Sequence, residues 1–416
     1  MIAAWYDRQG PAAEVLQVGE LPTAEPGRGE VRVRLTLSGA SPGDMKKRQG
    51  WLESQMAFPR IIPHSDGAGV IEAVGQGADQ GRAGGRVWVY GAQSYRAFGT
   101  AAQTTVVPEA LAVDLPDAVS DEMGACFGIP GITAHRAIFA DGPVRGQTVL
   151  VHGVRGSVSS LAAQLARWAG AAVIGTVRTD AEAALVDRAT ADHVVSLQSD
   201  PASAILRLAP DGVDRVVDVA LSANVDLDAA VVRNGAVVAA YASLEDRPEL
   251  PFWPMLFNNV TIRLLGSDDF PRAAKDAAAR DLTDAAARSA LSIKVAEVFP
   301  LERIAAAHEL IESGRAPGRI LVSLPLLVVG SDGGACHRTG GGVPSAVAAR
   351  VMSQPQASQA WWKADRTNSR AAACGSEADR TSSQSRMYSP SAGSQCAAAG
   401  NRDSPAKPGT AGWAYA

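Results

Sequence analysis

Cysteine is scarce in this chain. There are four in 416 residues, at positions 126, 336, 374 and 396, and no two have a C-x-x-C spacing. That leaves no disulfide framework and no cysteine-built metal site, and it suits a reducing, cytoplasmic setting. Long apolar runs are missing too: none approaches the roughly 20 residues of a membrane helix, so no membrane partner is expected. Lys and Arg number 39 against 43 Asp and Glu, a net charge of −4, and the basic residues are scattered. A nucleic-acid footprint is therefore not expected. The opening Met-Ile-Ala-Ala-Trp-Tyr-Asp carries charge early and lacks the apolar core of a secretory leader.

What is present is ordinary for a globular protein: 46% apolar and 20% charged residues, with length for two domains. Residues 1–120 read as short strands and turns. Val31-Arg32-Val33-Arg34-Leu35 alternates with period two, and 67–75 and 86–90 are further strands bounded by glycine. Residues 121–260 alternate strand and helix, the pattern of a parallel sheet with crossover helices. Within it, Leu227 to Val232 fits a short helix ended by Asn234-Gly235. Residues 261–325 return to mixed strand and helix. From about 326 to 416 the chain is rich in Gly, Ser, Ala, Arg and Gln without an apolar period. We expect a disordered tail there, arising from a shifted reading frame or serving as an interaction segment.

The sharpest chemical signal lies at 147–177. Gln147 to His152 is a near-continuous apolar strand that runs into Gly153-Val154-Arg155-Gly156. Leu161 to Ala169 has helical spacing and stops at Gly170. Ala172 to Val177 is a second apolar strand. Strand, glycine turn, helix and strand within about 30 residues make a dinucleotide site. A turn without side chains lets backbone N–H groups approach a diphosphate, and the helix directs its positive end at that charge. The expected contacts are Gly153, Arg155, Gly156, Ser157 and Val158. Ser159 stands at the third small position, where glycine is usual. Ligands in open parallel sheets lie beyond the carboxyl ends of the strands, which adds Val219, Ala220, Tyr241, Ala242 and Ser243.

Cofactor choice turns on the end of the second strand. Arg178 is the first residue beyond it, so its guanidinium is placed for a ribose 2′-phosphate, with Thr179 adding a hydroxyl. This favours NADPH. If the strand runs two residues further, Asp180 becomes a ribose acid and the choice reverts to NAD.

Four stretches, in order, resemble the zinc-independent medium-chain dehydrogenase/reductases of the quinone oxidoreductase branch. They are Ser41-Pro42-Gly43-Asp44 with its following Lys46-Lys47-Arg48, Pro63 to Gly75, Gly128 to Ala137, and Val149 to Gly170. The resemblance covers about residues 1–325. It implies an α/β fold in which a GroES-like β-barrel catalytic domain carries an inserted Rossmann doubly wound parallel sheet, and it implies a homodimer. In the zinc enzymes that share this fold, a Cys falls at Ser41 and a His-Glu pair at Ser65-Asp66, so no metal is expected. The chain departs from the branch at Ser41 (usually Asn), at Lys46 (often aromatic), at Glu182 (often basic) and at Gly85 (often Asp).

The chemistry so implied is hydride transfer from NADPH to a small electron acceptor, a quinone or an α,β-unsaturated carbonyl. Ser41, Asp44, Lys46 and Arg48 are the expected catalytic residues, with Lys46 or Arg48 facing developing oxyanion charge. Trp51, Trp88, Tyr90, Tyr241 and Trp253 are candidate walls for the acceptor. Two other functions use the same elements: reduction of an enoyl thioester, or NADP binding with little turnover in a structural or redox-sensing role.

Overall fold

The computed structural model describes residues 1–316 and 318–325, and the tail expected to be disordered lies outside the described residues. Two sheets organise the chain. The first contains β3 (Glu30–Gly39), β4 (Asp66–Val74), β5 (Arg86–Val89), β6 (Thr104–Pro108) and β7 (Ala112–Asp114). Ahead of them, β1 (Ile2–Trp5) and β2 (Gln17–Glu20) pair with each other in antiparallel fashion. The second sheet is formed by β8 (Thr148–Val151), β9 (Ala172–Val177), β10 (His193–Ser196), β11 (Val213–Asp218), β12 (Val232–Ala240) and β13 (Thr261–Leu264). The chain then returns to the first sheet with β14 (Val295–Pro300) and β15 (Arg319–Ser323).

In the first sheet β3 follows the alternation its sequence predicts. Val31, Val33 and Leu35 face an apolar interior with Ile71, Val87, Val89, Val107, Ile320 and Val322. The polar residues between them point outward, as period two requires. Strand β15, from the far end of the chain, pairs antiparallel with β3 and sets Leu321 opposite Gly39. That pairing delivers Arg319 to the neighbourhood of Ser41.

The second sheet is wholly parallel, in the order β10-β9-β8-β11-β12-β13. Both of its faces are covered. Val149, Val151, Val173 and Val217 pack on one side with Leu161 and Leu165, while Leu150, Ile174, Val216 and Val238 pack on the other with Ile205 and Val225. This explains the unbroken apolar runs, since a strand buried on both faces has no polar side to show. Each such side chain contributes about 1.5–3 kcal/mol relative to leaving it in water.

The helix Ser157–Trp168 crosses from β8 to β9 and stops where Gly170 takes φ 89°. The helix expected at 227–232 is longer. It runs Leu221–Val231, and Asn234-Gly235 lies inside β12. Its buried face includes Asn224 and Asp228 beside Leu221 and Val225. Polar residues on the inward face broke the apolar spacing and hid its first turns.

Candidate active site

Strand β8 occupies the switch point of the parallel sheet, because the chain leaves it to β9 on one side and later returns to β11 on the other. The crevice beyond its carboxyl end is where such sheets bind ligand. There Gly153 adopts φ 59°, and a Cβ on it would meet only a Val219 methyl, at 3.2 Å. The Gly156 N–H closes the bend on the Gly153 carbonyl at 2.8 Å. Gly156 then caps the helix Ser157–Trp168 without any side-chain bond, so the first turn faces the crevice with bare backbone. A left-handed glycine, an open bend and an uncapped twelve-residue helix fit a dinucleotide diphosphate.

The bend is fixed from beneath. Ser159 Oγ donates to the His152 carbonyl at 2.7 Å, so the Tyr241 hydroxyl, at 2.9 Å, is the donor to Ser159 Oγ. Serine at the third small position therefore ties the bend to Tyr241. His152 Nε2 meets Asp228 Oδ1 at 2.8 Å, and Thr176 Oγ1 lies 3.0 Å from His152 Nδ1. Burial disfavours an imidazolium at His152, but the Asp228 carboxylate outweighs it and the His152 pKa is raised.

At the rim, Arg178 and Arg155 converge on Glu182. The Arg178 guanidinium is 2.7 Å from Glu182 Oε1, and Arg155 Nη1 is 3.4 Å from the same atom. The Arg178 N–H donates to Glu182 Oε2 at 3.0 Å. Hydrogen bonding from Arg178 holds the Glu182 carboxyl below its ordinary range. Strand β9 ends at Val177, so Arg178 is the first residue past it, and Thr179 caps the next short helix.

On the other side of the chain Ser41 caps the helix Pro42–Gln49, and its N–H donates to Asp44 Oδ2 at 2.7 Å. Arg319 donates to Ser41 Oγ and to Asp66 Oδ2, each at 2.9 Å, and the Ile129 N–H reaches both oxygens of Asp66. Residue 128 must be glycine here, because a Cβ would collide with the Asp66 carboxylate. Burial pushes Asp66 up to about 7 against the pull of Arg319, and pushes Asp44 up to about 6 against Lys47. A fixed guanidinium lying across Ser41 and Asp66 does not fit a zinc site. Among the described residues no group of three or more His, Cys, Asp and Glu is arranged to hold a metal ion.

Behind this unit runs a buried chain of hydrogen bonds whose direction is set at one end. Arg48 can only donate, so its Nε–H goes to His308 Nδ1 at 3.3 Å. A neutral His308 then donates from Nε2 to His64 Nε2 at 2.9 Å, and His64 donates from Nδ1 to Ser38 Oγ at 2.8 Å. Ser38 donates to Thr100 Oγ1 at 2.8 Å, and Thr100 to the Asp66 carbonyl at 2.6 Å. Burial lowers His64 to about 3 and lowers His308 well below its usual value, which keeps both rings neutral.

The structure thus separates the expected catalytic four. Ser41 and Asp44 are 1% and 3% exposed and belong to the buried unit. Arg48 is fully buried, with its donors on the Gly10 carbonyl, Glu312 and His308, so it is not offered to a substrate. Lys46 alone reaches the surface, where its Nζ stands 4.1 Å from the centre of the Trp51 ring. Its neighbour Lys47 donates to Asp268 Oδ2 at 3.1 Å, and Tyr95 to Asp269 at 2.8 Å, which ties this region to the segment after β13. Trp88 and Tyr90 are core residues, not walls, and Trp253 belongs to an exposed aromatic group with Phe252 and Phe257. Sequence inspection missed Asp66–Arg319, His64–His308 and the place of Glu182. A lone arginine in the apolar strand Arg319–Ser323 was the available signal for the first.

Comparison with known proteins agrees with this geometry. Residues 27–117 match the family model of the alcohol dehydrogenase GroES-like domain, and residues 157–279 that of the zinc-binding dehydrogenases. The quinone oxidoreductase of Rattus norvegicus is 31% identical over 251 residues, which span 58% of this chain and 74% of the relative. Among solved structures, an NAD-dependent alcohol dehydrogenase superposes with TM-score 0.71 at 26% identity, over 78% of this chain and 100% of the other. A mycobacterial protein solved with NADPH gives 0.66 at 25% identity, over 78% and 99%. The architecture is that of a nicotinamide-dinucleotide oxidoreductase. Within that class the chain belongs to the zinc-independent medium-chain dehydrogenase/reductases, in the quinone oxidoreductase branch. Among the described residues no helix is long and apolar enough to cross a membrane.

Proposed function

We propose that this protein transfers a hydride from NADPH to a quinone or an α,β-unsaturated carbonyl. The observation that carries this is the bend at the switch point, with Gly153 left-handed and the helix Ser157–Trp168 bare at its start. Gly153, Gly156, Ser157 and Val158 bind the diphosphate through backbone groups. Arg155, Arg178 and Thr179 take the adenosine ribose end, and two guanidinium groups there favour the 2′-phosphate. Tyr241 orients the bend through Ser159. When bound, NADPH supplies the hydride. Lys46, beside Trp51, faces the negative charge that develops on the acceptor oxygen, and Trp51 and Tyr241 line its path. Ser41, Asp44 and Arg48 hold the Lys46 helix rather than touch the acceptor.

The test is loss of reduced nicotinamide absorbance with 1,4-benzoquinone, with crotonyl-CoA and with no acceptor. Turnover with the quinone is expected. Turnover with the thioester alone would assign an enoyl reductase, and binding without turnover would assign a cofactor-binding protein. Arg178→Ala should weaken NADPH roughly tenfold or more, in line with a charge-assisted bond, and NADH little.

The protein also assembles as a homodimer in this proposal. Strand β13 pairs only with β12 among the described strands, and Leu264 on it and Phe252, Trp253 and Phe257 in the helix that precedes it are 60–73% exposed. A second copy pairing edge to edge would satisfy the free backbone groups of both. Light scattering should report twice the chain mass, and Leu264→Lys should return it to one.

A further inference from the structure

Glu182 stands where two arginines from different elements meet. Arg155 comes from the glycine bend and Arg178 from the end of β9, and both guanidinium groups meet at one atom, Glu182 Oε1. The other carboxylate oxygen takes the Arg178 N–H. Two guanidinium groups and a backbone amide sharing the two oxygens of one carboxylate form the donor set of a phosphate monoester. In this protein its own carboxylate occupies that set. The Glu182 side chain is only 18% exposed, whereas Arg178 is 60% exposed and has room to follow a ligand.

We propose that Glu182 is a built-in competitor for the 2′-phosphate subsite. It holds Arg155 and Arg178 in place when no nucleotide is bound, it gives them up to a 2′-phosphorylated adenosine, and so it sets the size of the preference for NADPH over NADH. The proposal rests on the assignment of the dinucleotide to the glycine bend. The competing role for an acid at this position is to accept from the 2′-hydroxyl of an unphosphorylated ribose, which would favour NADH. The same substitution separates the two roles by ligand: a gain for 2′-phosphorylated ligands under the first, a loss for unphosphorylated ones under the second.

The experiment is calorimetric titration of the full chain at fixed ionic strength with 2′,5′-ADP, 5′-AMP, NADPH and NADH. Glu182→Gln should tighten 2′,5′-ADP and NADPH about tenfold, the size of one charge-assisted bond released from competition, and leave 5′-AMP and NADH within about twofold. Glu182→Ala should act in the same direction and guards against a fold-specific effect of glutamine. Weaker NADH with no gain for 2′,5′-ADP would overturn the proposal and make Glu182 a ribose acceptor. No change in any ligand, while Arg155→Met and Arg178→Met still weaken NADPH selectively, would overturn the proposal alone. If both arginine variants weaken NADPH and NADH equally, the phosphate assignment fails and takes this inference with it.

Discussion

The glycine bend and the buried unit around Asp66 lie in one chain but are held in opposite ways. The bend is made of nine consecutive residues, His152 to Ser160, and its useful groups are backbone. The Asp66 unit draws on β3, β4, the turn at Gly128, the helix Ile304–Glu312 and β15, and its useful groups are buried charges and rings. A local device can be moved along a sequence intact. A topological one exists only once β15, from the far end of the chain, has paired with β3. The difference implies that damage to the first should cost binding and damage to the second should cost stability.

Breaking the Asp66–Arg319 pair should cost the most stability. Arg319→Met leaves Asp66 buried with only the Ile129 N–H to face it. Removing one partner of a buried pair costs about 3–5 kcal/mol. Without Arg319 the buried Asp66 carboxyl, already pushed up to about 7, takes up a proton; adding Asp66→Asn replaces it with a neutral group that still accepts from Ile129, so the double variant should recover part of the loss. Denaturant midpoints of the two variants measure this directly. Equal losses in both would mean that the pair stabilises by packing rather than by charge, and the contrast with the bend would lose its basis.

Legibility in the sequence follows the same division. The run Val149–Val151, the glycine bend, the helix stop at Gly170 and the alternation of β3 are all set by neighbours within a few residues, and each was readable. So was Arg178 as the first residue beyond β9. Arg48 was expected to face an oxyanion, because its partners, His308 and Glu312, lie 260 and 264 residues away. The partner of His64, His308, is 244 residues away. The first turns of the helix Leu221–Val231 were hidden because Asn224 bonds Asp218 and Asp228 bonds His152, which puts polar residues on the buried face.

Acid should act on the Asp66 side through His64 and His308. Both rings are kept neutral by burial in the folded protein, His64 down to about 3. An unfolded histidine takes up its proton near pH 6.5. Their contribution is therefore complete above pH 6.5 and falls as the pH drops from there toward 3, by up to about 1.4 kcal/mol per pH unit for each ring. Buried carboxyls such as Asp44 shift the other way, so the clean quantity is a difference between proteins. His64→Gln should be less stable than the parent at pH 7, and the gap should narrow at pH 5. A gap that stays constant between these pH values would show that His64 is protonated in the fold and that the directional chain from Arg48 is wrong.

A change in the bend should cost the least stability. Gly153→Ala places a side chain at φ 59°, which costs an L-residue about 1–2 kcal/mol. Packing adds little, since the new methyl meets only the edge of Val219. The denaturant midpoint should therefore move far less than for Arg319→Met. Dinucleotide affinity should behave in reverse and fall at least about tenfold, because the methyl stands on backbone that a diphosphate must approach closely. Calorimetry and unfolding on the same two variants give four numbers. The comparison holds only if the variants cross over, each losing most in the measurement where the other loses least. Should Gly153→Ala bind NADPH as the parent does, Gly153 is a turn residue and nothing more, and the diphosphate must rest on the helix Ser157–Trp168 alone.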